Sequence, residues 1–219
     1  YRKDFIELIT QILCQKYVER NYSIVKSLSK IVRCFGYSGH RDFLSKHGSL
    51  LVRHLVPLAT RNQKIQELFQ MIADAVGIEM RRLLLDYFAE ICSHVFLEET
   101  PDQAAECLEL VAELTGQPIP EMMRCSFIGI FQKLLLHFHD KMERVLIYLE
   151  LISEYDPNDK GNFESNEEIA RYLRGHLHAV LVKFDQNLGP LSDEFTQKTA
   201  LSSLGTLLKF MGCQNISSL

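Results

Sequence analysis

The sequence predicts an all-α fold, a HEAT-like α-solenoid of antiparallel helix pairs with about eleven helices. Three observations predict it. Apolar residues recur at spacings of three and four along nearly the whole chain, and no stretch alternates as a strand would. Turn residues close one such segment after another, so that helix pairs repeat at roughly 35–45 residues. Each segment owns an apolar stripe that it cannot bury alone and that a neighbour must cover. A compact all-α bundle is the alternative architecture.

Taken in order, the first helix is expected from about Asp4 to Arg20, with Phe5, Leu8, Ile9, Ile12, Leu13 and Tyr17 inward. Asn21 and Gly36 bracket the second. A short piece at Phe43-Leu44 leads through Gly48 into Leu50–Leu58, which Pro57 should kink or end. Arg61–Val76 follows, and Gly77 stands where a left-handed cap is favoured. Ile78–Phe96 reads as one helix carrying Leu83, Leu84, Tyr87, Phe88, Ile91 and Val95. Thr100-Pro101-Asp102-Gln103 combines an N-cap, a proline at the first helical position and a capping-box glutamine. That helix should end at Gly116, with Pro118 and Pro120 reopening the chain into Glu121–Phe138 and then Asp140–Tyr155.

Asp156–Glu164 is a long polar loop. Beyond it, Ser165-Asn166-Glu167-Glu168 reads as a second capping box. Two long helical patterns joined by Gly189-Pro190 occupy the rest. In the first, Ile169, Tyr172, Leu173, Leu177, Val180, Leu181 and Phe184 share a face. In the second, Leu201, Leu204, Leu208 and Met211 do so, with Leu207 beside them and Gly212 as terminator. Gly175 and Gly205 interrupt these patterns at a cost of about 1 kcal/mol each relative to Ala, which points to close helix–helix approach. Residues 1–164 are expected as helical repeats and 165–219 as a further helical segment continuous with them.

Composition narrows the function classes. Of 219 residues 47% are apolar, enough for a continuous core, yet no stretch approaches the roughly 20 apolar residues of a membrane span. The chain opens Tyr1-Arg2-Lys3-Asp4 without an initiator Met, and it is expected to be a piece of a longer polypeptide. Cys14, Cys34, Cys92, Cys107, Cys125 and Cys213 are scattered without a CxxC pair, as expected of reduced, buried thiols rather than a disulfide framework. A net charge of −4 hides a gradient: residues 1–70 carry 12 Lys/Arg against 5 Asp/Glu, the remainder 12 against 23. Lys26, Lys30 and Arg33 fall on one helical ridge that suits nucleic acid or an acidic partner. The plainer reading is a solvated face opposite Ile24, Val25, Leu28, Ile31 and Val32.

Chemistry-bearing motifs are sparse. His40-Arg41-Asp42 imitates a kinase catalytic loop, but the position of its metal-binding Asn is His47, and no glycine-rich loop or Asp-Phe-Gly accompanies it. The loop from Asp156 offers EF-hand-like oxygens at Asp156, Asn158 and Glu167, with Gly161 at the turn position. Against calcium stand Lys160 at a ligand position and the claim of the following helix start on Glu167. His137-x-His139 and His176-x-His178 cannot converge on one ion if helical, because residues two apart diverge by about 200°. No GxSxG elbow, phosphate loop or zinc-spaced cluster exists. No catalytic, cofactor or metal residue is assigned.

One stretch carries a family resemblance. Lys198-Thr199-Ala200-Leu201-Ser202-Ser203-Leu204-Gly205-Thr206-Leu207-Leu208-Lys209-Phe210-Met211-Gly212, followed by Ile216-Ser217-Ser218, resembles the UME segment of the ataxia-telangiectasia-and-Rad3-related (ATR) checkpoint kinases. Tyr172-Leu173-Arg174-Gly175-His176-Leu177 through Val182-Lys183-Phe184 fits the start of that segment. Arg81-Arg82-Leu83-Leu84-Leu85-Asp86-Tyr87-Phe88, Ile91-Cys92-Ser93-His94 and the stretch Leu51–Ala59 are similar to the HEAT repeats preceding it. The likeness spans about residues 40–219 and is most specific over 165–218. It implies a non-catalytic scaffold segment of a phosphatidylinositol-3-kinase-related serine/threonine kinase, nuclear and active in DNA-damage and replication-stress signalling. It further implies that ATP and Mg or Mn are bound in a separate kinase domain. The partners implied are the adaptor subunit (the ATR-interacting protein), a second protomer or other arm segments, with DNA engaged only indirectly and no membrane. Nucleic-acid binding through the basic ridge and calcium binding at Asp156, Asn158 and Glu167 are the alternatives.

Overall fold

The computed structural model describes residues 29–212 except 31, 35, 159–162, 190, 191 and 193. The first predicted helix, Lys26 and the segment 213–219 lie outside the described residues. The fold is all-α, its helices packed against one another as in a helical solenoid, with no strand among the described residues. Ten helices lie wholly among the described residues: α1 (His40–Arg61), α2 (Gln63–Val76), α3 (Met80–Asp86), α4 (Phe88–Glu98), α5 (Pro101–Thr115), α6 (Ile119–Leu135), α7 (Met142–Ser153), α8 (Asn166–Gly175), α9 (Leu177–Leu188) and α10 (Glu194–Phe210). The chain divides into two compact units, 1–122 and 123–219. The boundary read from sequence at 164/165 falls inside the second.

In the first unit α1 packs on α2, α4 and α5, while α5 also receives α3 and α4. Leu51, Val52, Leu55, Val56 and Ala59 of α1 meet this core fully buried, as do Leu68, Phe69, Phe88, Ile91 and Val95. Gly77 caps α2 at φ 71°, with Gly77 N–H donating to Asp74 O and Ile78 N–H to Ala73 O. That is the Schellman pattern expected of a glycine just past a helix. Gly36 repeats it (φ 73°), and Gly116 ends α5 at φ 64°. The capping box at Thr100 forms as read: Gln103 N–H donates to Thr100 Oγ1, and Thr100 N–H to the Gln103 side chain.

Two expectations for this unit are corrected. Pro57 does not end the helix; α1 runs for 22 residues through both Gly48 and Pro57. Pro57 removes one backbone donor, but it lies on the buried side, and Thr60 Oγ1 donates to its carbonyl at 2.9 Å. Conversely, Ile78–Phe96 is not one helix. It begins at Met80 and breaks at Tyr87 (φ −107°, ψ 12°). The break coincides with Tyr87 docking on α1, where its hydroxyl donates to Leu44 O at 3.2 Å. A Cβ on Gly48 would fall 2.8 Å from that hydroxyl and 3.1 Å from the ring, so the close approach needs glycine there.

In the second unit α6 contributes Phe127, Ile130, Phe131 and Leu134, α7 contributes Val145, Leu149 and Ile152, and α9 packs on α10. Here too elements differ from expectation. The helix read as Glu121–Phe138 starts earlier and stops at Leu135, and tight turns carry the chain through Phe138. The long pattern after Ser165 breaks at His176 into α8 and α9. Ser165 caps α8 as read, Glu168 N–H donating to its hydroxyl, but the Glu168 carboxylate accepts from Glu164 N–H one residue before the cap. Ile169, Tyr172, Leu173, Val180 and Phe184 are buried as predicted, whereas Leu181 is exposed. The inward stripe of α10 is Ala200, Ser203 and Leu207, continued by Met211 just past its end; Leu207 and Met211 are buried as read, but the stripe is rotated towards Ala200 and Ser203, and Leu201 is 62% exposed. Ser203 draws the rotation: its hydroxyl donates to Leu136 O at 2.7 Å and accepts from His139 N–H at 3.2 Å. Gly175 and Gly205 open onto empty space, so the close approach predicted at both occurs at Gly48 instead.

Candidate functional site

Lys30 and Arg33 are both exposed, with Val32 between them buried. The His40-Arg41-Asp42 tripeptide begins α1 and is locally engaged. His40 Nε2 lies 3.0 Å from Ser29 Oγ, and Asp42 accepts from Ser38 and pairs with Lys46 at 3.8 Å. His47, at the position of the missing metal-binding Asn, sits 2.7 Å from Tyr37 Oη.

The densest polar constellation forms where α7 ends. Tyr155 N–H donates to Ile152 O and Asp156 N–H to Ser153 O, and these turns fold Asp156 inward until it is 3% exposed. Its Oδ1 accepts from Asn158 N–H at 2.8 Å, a local Asx turn. Its Oδ2 accepts from Tyr172 Oη at 2.7 Å and stands 2.8 Å from His176 Nε2. Tyr172 and His176 are one helical turn apart and meet the same carboxylate, because residues four apart share a face. Aromatic rings surround the three: Phe131 is 5.1 Å from the His176 ring and 6.1 Å from Tyr172, while Phe163 is 5.0 Å from Tyr172. A buried carboxylate with both oxygens occupied joins the loop to the α8–α9 break, where the Tyr172 and His176 rings meet Phe131 of α6; its evident task is to fix that junction.

Of the EF-hand-like residues, Asp156 therefore points inward, whereas Asn158 and Glu167 are exposed. Glu167 sits in the first turn of α8, where the helix dipole favours a negative charge. No group of three or more His, Cys, Asp or Glu able to hold a metal exists among the described residues. His137 pairs with Asp140 at 3.5 Å, and His139 Nδ1 lies 2.9 Å from Thr206 Oγ1, so the two rings serve different partners. They stand on turns, not on a helix, which corrects the geometry assumed for them.

The thiols split. Cys92 and Cys107 are buried, but Cys34 and Cys125 are exposed, contrary to the expectation that all would be interior. Burial pushes the Cys92 thiol well up, and burial with Glu99 and Glu106 nearby pushes Cys107 up to about 12. Elsewhere, the His54 and His94 rings meet at 4.6 Å, and burial lowers the pKa of neighbouring Arg53 against the pull of Glu98 and Glu90. The Asp156–Tyr172–His176 trio escaped the sequence reading. The i, i+4 spacing of Tyr172 and His176 was a usable signal; the long-range carboxylate was not.

These features define a class: an all-α segment of packed helices whose polar constellation fixes a helix junction. The chain is similar along 99% of its length to the serine/threonine-protein kinase ATR of Drosophila melanogaster, at 23% identity over 221 residues. The resemblance read over residues 40–219 thus extends over the whole chain. The chain spans about 9% of that relative's length. No protein-family model and no solved structure matches it. No described helix is long and apolar enough to cross a membrane.

Proposed function

We propose that the chain is a non-catalytic scaffold segment of a phosphatidylinositol-3-kinase-related serine/threonine kinase that works in the nucleus in DNA-damage and replication-stress checkpoint signalling. The observation that carries this reading is similarity to a checkpoint kinase across the whole chain, in a chain whose apolar residues are buried helix on helix. Packed helices of this kind leave their outer ridges and turns to partners. The partners are the kinase's adaptor subunit, a second protomer or other segments of the helical arm. ATP and its Mg or Mn belong to the kinase domain of such an enzyme, and DNA is reached through the adaptor. Co-expression with the adaptor, with a second copy of the chain and with the remaining arm tests this. A stable complex with at least one of them is expected on size exclusion, and failure with all three would overturn the scaffold role.

A second reading has one observation in its favour: Lys30 and Arg33 are both exposed, so a basic ridge that includes Lys26 would be open to a nucleic-acid backbone. It predicts salt-sensitive DNA binding that falls in the triple variant Lys26→Glu, Lys30→Glu, Arg33→Glu. Affinity unchanged in that variant dismisses it.

A further inference from the structure

Residues 78–99 contain neither glycine nor proline, and their apolar positions stay in helical register throughout. Leu84, Phe88, Ile91 and Val95 are all buried at spacings of three and four, so one face points inward from end to end. Local preference therefore favours a single helix over residues 80–98. The chain instead bends at one residue, Tyr87, whose φ of −107° and ψ of 12° depart from the roughly −63° and −42° of an α-helix. Before the bend α3 packs on α2 and α5, and after it α4 packs on α1 and α5.

A helix interrupted without a breaker residue has its cause elsewhere. Here the cause is the Tyr87 ring, which leaves its own helix to dock on α1. Its hydroxyl donates to Leu44 O at 3.2 Å, and the ring covers Gly48. A Cβ at Gly48 would come 2.8 Å from the hydroxyl and 3.1 Å from two ring carbons, so the seat is shaped for this ring over this glycine. Local preference and tertiary contact disagree at Tyr87, and such conflicts mark positions where a fold has a second task. The same backbone geometry recurs at His176 (φ −97°, ψ 11°), whose ring is likewise held from outside its helix, by Asp156.

We propose that residues 80–98 form a latched two-state helix, bent while Tyr87 is seated on Gly48 and continuous once the ring leaves. In the bent form the first N–H groups of α4, those of Phe88, Ala89 and Glu90, have no acceptor within their own helix. In the continuous form they face the carbonyls of Leu84, Leu85 and Asp86. Release therefore exchanges the Tyr87 hydroxyl bond and its ring contact for backbone bonds. These opposing contributions are few and of similar size, which is the condition for two accessible arrangements. Because α5 packs against both halves, release moves α3 relative to α4 along a shared neighbour. The latch goes beyond the scaffold reading and does not depend on which partner the segment binds.

The test is amide hydrogen exchange, read residue by residue by NMR on the intact 219-residue chain, with Cα chemical shifts recorded alongside. Tyr87→Leu removes the ring from its seat, and Gly48→Ala displaces it from the other side without touching residues 80–98. In both, exchange at Phe88, Ala89 and Glu90 should slow about tenfold, the protection that one added backbone hydrogen bond confers. The Cα shift at position 87 should move to the value of the flanking helix. Both changes are expected even though the melting temperature falls. Tyr87→Phe, which loses only the bond to Leu44, should show a smaller change in the same direction, and with Gly48→Ala it decides the matter if Tyr87→Leu does not fold. A Tyr87 that merely packs predicts the opposite: a less stable chain whose three amides exchange as before or faster. That result in variants retaining the native circular-dichroism spectrum would overturn the latch.

Discussion

A carboxylate buried as deeply as Asp156 destabilises a fold by several kcal/mol unless its oxygens find donors. Here they do, and removing the group would strand Tyr172 Oη and the His176 ring inside an aromatic wall. Asp156→Ala is expected to lower stability by about 3 kcal/mol, and Tyr172→Phe, which deletes one neutral donor, by about 1 kcal/mol. Urea unfolding monitored by circular dichroism checks both, and equal effects would show that the carboxylate is not the hub. Glycines offer a second contrast. Gly205→Ala adds a methyl to open space inside a helix and should stabilise by about 0.5–1 kcal/mol. Gly48→Ala gains the same propensity but drives a Cβ into the Tyr87 ring, and it should instead destabilise by about 1–2 kcal/mol. Thermal melts of the two variants should move in opposite directions.

At the scale of elements, local signals were legible where the cause was local. Gly77 and Gly116 end helices because a residue without a Cβ enters the left-handed region freely, and the Thr100 box closes because its partners are three residues apart. Thr100→Ala should therefore cost about 1 kcal/mol, measured by the same unfolding experiment, and Thr100→Ser almost nothing. The breaks at Tyr87 and His176 were illegible because their causes are distant. Tyr87 is held by Leu44, 43 residues earlier, and His176 by a carboxylate 20 residues earlier across a loop. No proline stands at either break to mark it. The stripe of α10 misled for a related reason: Leu201, Leu204 and Leu208 share one face, but the inward side is turned away from Leu201 towards Ala200 and Ser203, where the Ser203 hydroxyl bridges to Leu136 and His139. The inward role of Asp156 was hidden likewise, since a polar loop reads as solvated until Tyr172 and His176 are seen to reach it.

For the molecule as a whole, the two classes of thiol give a direct reading of which surfaces are closed. Cys34 and Cys125 should react with iodoacetamide in the native chain, whereas Cys92 and Cys107 should react only on unfolding, as peptide mapping would show. The raised thiols also set a pH dependence. With its folded pKa at about 12 against an ordinary 9.0, Cys107 stays neutral when folded but ionises when unfolded. Its contribution is complete below pH 9.0 and is lost as pH rises towards 12; Cys92, shifted the same way, acts in the same sense. Alkaline melts should therefore fall over that window, and by less in Cys107→Ala measured against its own neutral-pH stability.

The proposed scaffold role rests on burial of the apolar residues on neighbouring helices and on likeness to the serine/threonine-protein kinase ATR along the chain, and it holds that the chain performs no chemistry itself. Incubation of the purified chain with radiolabelled ATP, Mg or Mn and a serine/threonine peptide tests that claim most directly. The account predicts no phosphate incorporation above the protein-free blank. Transfer that copurifies with the chain through size exclusion and disappears on its denaturation would contradict it.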